Sequence, residues 1–93
     1  MDKYIIDFTG VKTVWYFYEA IEKGLKLPEW FGKNLDALWD MLTGFIDCPT
    51  VIYFKGVNSL PEALDKKMES VLRVFTKAVN YYAEGEFEFE IID

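Results

Sequence analysis

Hydrophobic and polar positions alternate between two periods along this chain, and the switches between them mark its elements. Tyr4–Phe8 (YIIDF) is short, β-rich and followed by Gly10, which predicts a first strand. Val14, Phe17, Tyr18 and Ile21 then recur at helical spacing, so a helix is expected from about Thr13, its cap, to Lys23, with Gly24 as its stop. Trp15 and Tyr16 fall off that stripe and are expected to pack at a boundary against a neighbouring loop. A second helix is expected from Asn34, whose side-chain oxygen can accept from a free N–H of the first turn, to Gly44, taken as a left-handed stop.

After Pro49, Val51-Ile52-Tyr53-Phe54 is continuously apolar, the mark of a strand covered on both faces or lying centrally in a parallel sheet. Pro61 near a possible helix start predicts a short helix within 58–64. Asp65 is the expected cap of the longest helix, Lys66 to about Ala83, with Met68, Val71, Leu72, Phe75, Val79 and Tyr82 as its stripe and Gly85 as its stop. From Glu86 to Asp93, Phe87, Phe89 and Ile91 alternate with Glu86, Glu88 and Glu90, which predicts a last strand with one wet face. The order is then β-α-α-β-α-α-β. Strands joined by helical crossovers run parallel. The fold class expected is α/β, a small three-stranded parallel sheet packed with about four helices, the strand at 51–54 in the middle, in one domain over 1–93.

The second helix carries the anomaly. At 100° per residue, Leu35, Leu38 and Leu42 share one face, which must look into a core, while Asp36, Trp39, Asp40 and Thr43 share the other. Two carboxylates four apart repel by about 0.2–0.5 kcal/mol. Asp36 has a structural excuse, since it lies in the first turn, where the helix dipole favours negative charge, with Lys33 three residues before it. Asp40 has none: Ala37, Thr43, Asp36 and Gly44 stand at its three- and four-residue neighbours, and Trp39 lies beside it. The plain alternative is a solvated face with Trp39 lying flat on it.

Composition narrows what such a face could meet. The chain has 93 residues, a formal charge of −6 and 52% hydrophobic residues. A chain of this length buries about 60% of its unfolded surface, enough for one modest core. The acidic balance argues against direct contact with nucleic acid or an anionic membrane and suits a basic partner. Leu27–Cys48 alone holds Glu29, Asp36, Asp40 and Asp47 against Lys33. The lone Cys48 rules out an internal disulfide, and the opening Met-Asp-Lys with Asp7 close behind reads as neither a signal peptide nor a membrane span, so a cytoplasmic location is expected. No histidine is present, Cys48 has no histidine partner, and Gly32 stands alone rather than in a phosphate loop. Asp36 and Asp40 without further oxygen ligands make a weak cation site. No enzyme, metal or cofactor is expected.

The stretch Pro28-Glu29-Trp30-Phe31-Gly32, Asn34, LDALWD over Leu35–Asp40 and Leu42-Thr43-Gly44 resembles the barstar family, small intracellular inhibitors of secreted ribonucleases. Glu69-Ser70-Val71-Leu72 and Val74-Phe75 fit that family's last helix. The resemblance implies the same α/β fold and a partner-binding face of Trp30, Phe31, Gly32, Asn34, Asp36, Trp39, Asp40, Thr43, Gly44 and Phe45. It implies a basic, extracellular-type ribonuclease or a related toxin domain as partner, and an antitoxin or immunity role. Trp30 stands in place of a tyrosine, Phe45 in place of a tryptophan, and Lys77 in place of an acid, so one expected pairing with the enzyme is lost. The rival reading is a binding module or assembly subunit that uses the same Trp/Asp face without inhibiting an enzyme.

Overall fold

In the computed structural model, which describes residues 1–92, β1 (Asp2–Asp7), β2 (Thr50–Lys55) and β3 (Phe87–Ile91) form one sheet in the order β1-β2-β3, all parallel. Three α-helices, α1 (Val14–Gly24), α2 (Leu35–Gly44) and α3 (Asp65–Tyr81), are found among the described residues. The strand expected in the middle is in the middle. It is not covered on both faces: Thr50, Ile52 and Phe54 are buried, while Val51 and Tyr53 stay part-exposed. Register aligns Tyr4 with Ile52 and Phe89, and Ile6 with Phe54 and Ile91, so one sheet face is apolar across all three strands. Thr50 is fully buried, and its hydroxyl donates to the Asp2 carbonyl, so no polar atom is orphaned there.

Aromatic rings fill the space between that face and the helices. Phe8 stacks on Phe17 of α1 at 4.8 Å, and Phe54 meets Phe75 of α3 edge-on at 4.8 Å. The series continues through Phe87, Tyr82 and Tyr81 to Trp39, which links the core to the outer side of α2. Phe8, Phe17, Phe54, Phe75 and Phe87 are essentially sealed from solvent, and each such side chain contributes roughly 1.5–3 kcal/mol by its burial.

Several boundaries differ from the sequence expectation, each for a local reason. The short helix expected within 58–64 is two 3-10 turns, Val57–Ser59 and Glu62–Leu64, the second running into α3. Leu60 and Pro61 are both extended between them (ψ 139° and 152°), as a residue before proline and a helix-entry proline tend to be, and the helix is interrupted there. Asp65 is the first residue of α3 rather than its cap: Leu64 holds the cap position without a side-chain bond, and Asp65 acts on the first-turn dipole instead. α3 ends at Tyr81, and β3 starts at Phe87 after a turn through Gly85, whose φ of +83° suits glycine. Asp93 lies outside the described residues.

Thr13 caps α1 as expected, but Val14, its first residue, is exposed rather than part of the buried face. Gly24 closes α1 by proximity rather than by a left-handed turn. A Cβ there would lie 2.7 Å from the Ile5 carbonyl oxygen, so only glycine lets α1 approach β1 this closely. Gly44 likewise is the last helical residue of α2 and not a left-handed stop; Phe45 takes the cap position with φ −116°. Ile91, expected to face inward, is 45% exposed at the end of an edge strand.

Candidate functional site

The loop before α2 is built to hold that helix at a set angle. Asn34 accepts from the Ala37 N–H at 2.8 Å and donates its own amide to the Gly32 carbonyl at 2.9 Å, so one side chain ties loop and helix start together. Phe31 is buried at 3% exposure against the Tyr18 ring, so it anchors the loop from below and offers no side-chain surface to a partner. Trp30 beside it is 72% exposed. Gly32 sits over the start of α2, where a Cβ would meet that of Ala37 at 3.2 Å.

Lys33 does not serve Asp36. Its backbone is left-handed (φ 43°), which turns the side chain back to α1. There its ammonium lies 3.1 Å from Glu22 and 4.5 Å from the centre of the Trp15 ring. Of the two aromatics expected to pack at a boundary, Trp15 meets the loop only through this ammonium and stays 60% exposed, and Tyr16 is exposed as well.

On α2, Leu38 and Leu42 are buried as expected, together with Met41, while Leu35 in the first turn is only part-buried. Asp36 and Asp40 are exposed, and neither has an ion-pair partner among the described residues. Trp39 between them is half-buried, its ring edge-on to Tyr81 at 5.6 Å, so it is held in place rather than loose on the surface. The Thr43 hydroxyl donates to the Trp39 carbonyl at 2.8 Å and is turned onto its own helix. Gly44 faces open space, and Phe45 is 45% exposed.

The far end of α2 is fixed from α3. Ile46 N–H bonds to Met41, which leaves the Leu42 carbonyl without a helical donor, and the Tyr82 hydroxyl supplies one at 2.6 Å. Burial, reinforced by the neighbouring Cys48 thiol, pushes the Tyr82 phenol up to about 12. Cys48 is half-buried, and burial pushes its thiol up as well. Sequence reasoning placed Tyr82 in the apolar stripe and missed its hydroxyl contact; it missed Tyr81 and Arg73 altogether. Arg73 and Lys77 line a groove whose other wall is Asp36 and Trp39. No three His, Cys, Asp or Glu side chains among the described residues come together as a metal site, and no helix among them is long and apolar enough to cross a membrane.

Fold and face together define a small α/β domain that presents a helix, tied at both ends, with unpaired carboxylates and aromatic rings on its outer side. Residues 1–93 match the family model described as Barstar (barnase inhibitor). The chain is 34% identical over 92 residues to the Bacillus subtilis (strain 168) protein named "Putative ribonuclease inhibitor YrdF", covering 99% of this chain and 98% of that one. The chain belongs to the barstar family.

Proposed function

We propose that this protein inhibits a ribonuclease by plugging its basic active-site cleft with α2 and the loop before it. The observation that carries this reading is Asp36 and Asp40, exposed and unpaired on either side of a half-buried Trp39 that packs edge-on against Tyr81. A ribonuclease binds a phosphate backbone and so keeps a cationic cleft. Carboxylates on a stiff helix stand in for those phosphates, and their charge-assisted bonds strengthen as water leaves the interface. Trp30, Trp39 and Phe45 supply the apolar area around them, Thr43 and Gly44 an open helix end that a partner's backbone can approach closely, and Phe31, Gly32 and Asn34 the support of the loop. The acidic field steers the encounter; the barnase–barstar pair is a standard example of such steering. The protein acts by occupancy rather than by catalysis. Inside the cell it neutralises a secreted-type nuclease before export, as an antidote.

The test is titration of a basic, barnase-type ribonuclease in an RNA-cleavage assay with association followed at several ionic strengths. Stoichiometric inhibition, with an association rate that falls steeply as salt rises, is expected. Binding without loss of nuclease activity, or a rate indifferent to salt, points instead to an apolar assembly contact and rejects the inhibitor reading.

A further inference from the structure

The groove between α2 and α3 has walls of opposite sign. Asp36 and Trp39 stand on α2, and Arg73 and Lys77, one turn apart, stand on α3, with part-buried Leu35 and Val74 below them. Arg73 and Lys77 are exposed. The Arg73 guanidinium donates to the Ser70 hydroxyl at 3.1 Å, on its own helix. Glu69, a turn before Arg73, also lines the groove, yet no carboxylate among the described residues lies within ion-pair distance of Arg73 or Lys77. The groove thus keeps its carboxylates, Asp36 on α2 and Glu69 on α3, and its two cations on α3 free of ion pairs among the described residues, with the cations on one wall only.

A uniformly basic surface suits only half of this face. Lowered onto α2 it meets Asp36 and Asp40, but the same surface then brings its cations against Arg73 and Lys77, and juxtaposed like charges cost several kcal/mol across an interface. Repulsion of this kind is how an interface rejects wrong partners. We propose that the groove selects the nuclease: the partner that fits carries an acidic side chain on the rim of its basic cleft, seated against Arg73 and Lys77 while the cleft cations face Asp36 and Asp40. This rests on the inhibitor reading of α2 and adds to it the chemistry of the target. The partner's surface is bipolar, and α3 rather than α2 distinguishes among related enzymes.

The experiment uses barnase and a panel of barnase variants in which single basic residues on the cleft rim are changed to Glu. Each is mixed by stopped flow with the wild-type chain, with the double variant Arg73→Glu/Lys77→Glu and with Asp40→Ala, at low and at physiological salt. Thermal melts check that the variants fold, which the exposure of all three positions favours. The expected result is that one or more rim-Glu variants associate faster with the wild-type chain, by on the order of tenfold at low salt, and that the double reversal abolishes or inverts the gain. Unmodified barnase should in turn associate faster with the double reversal than with the wild-type chain. If the double reversal leaves all the rates in the panel unchanged while Asp40→Ala weakens every complex, the groove plays no part in selection and the inhibitor reading survives alone. If no member of the panel binds any chain, both are overturned.

Discussion

Lys33 reaches across its own loop to Glu22, Nζ to Oε1 at 3.1 Å, and both side chains are mostly shielded, at 19% and 17% exposure. This pair joins the loop that carries Trp30 to the body of α1. It also withdraws the one base of the 27–48 stretch from the acidic face.

Breaking the pair should therefore be felt in stability. Lys33→Met leaves the Glu22 carboxylate shielded and alone, and a loss of about 1–2 kcal/mol is expected, between the values for surface and buried pairs. Lys33→Arg, which keeps the charge and the stacking on Trp15, should restore most of it. Urea unfolding midpoints of the two variants measure this. Equal midpoints for Lys33→Met and the parent would mean that the contact contributes nothing.

Asp40 should behave in the opposite way. Asp40→Ala removes repulsion from Asp36 and an unpaired charge, so stability is expected to stay level or rise by about 0.2–0.5 kcal/mol. Affinity for a barnase-type ribonuclease is expected to fall by several kcal/mol, because the enzyme's cations would be left buried without a partner. Calorimetric binding together with a thermal melt separates the two effects. A drop in melting temperature with unchanged binding would reverse the assignment.

Tyr82 gives a pH signature. Its phenol is raised from the ordinary 10.0 to about 12, first by burial and then by Cys48. The folded state thus favours the neutral, donating form. That stability is fully present below about pH 10 and is lost as pH climbs through about 12. Tyr82→Phe should cost about 1 kcal/mol near neutrality, since the Leu42 carbonyl loses its donor, and should flatten this part of the alkaline decline. Melts from pH 8 upward decide it. Parallel curves for the two proteins would show that Tyr82 is not the titrating group.

Which of these relationships can be read from the sequence depends on periodicity. The parallel sheet follows from strands separated by helices, the place of β2 from four consecutive apolar residues, and the buried face of α2 from leucines at helical spacing. Asn34 declares itself as a cap because its role is local. Loops have no period, so nothing in Trp30-Phe31 says which ring turns inward. The reach of Lys33 is hidden for the same reason: counting three residues to Asp36 assumes helical geometry, and Lys33 lies outside the helix in a left-handed turn. The groove between α2 and α3 is a tertiary fact. Arg73 looks like any solvated base until the packing of α3 sets it opposite Asp36.

The two tryptophans of the proposed face offer the sharpest separation of fold from function. Trp39 is half-buried, packs against the core and meets Tyr81 edge-on, so Trp39→Ala should cost about 2 kcal/mol of stability, less than a sealed aromatic would. Trp30 is 72% exposed, and Trp30→Ala should leave stability within about 0.5 kcal/mol of the parent. In binding the two are expected to converge, each lowering affinity for a barnase-type ribonuclease by about 2 kcal/mol, as aromatic anchors at interface centres do. Denaturant unfolding and competition binding on the same preparations give both numbers. If Trp30→Ala is silent in binding as well as in stability, the loop before α2 lies outside the interface, and the recognition face contracts to α2 and the groove beside α3.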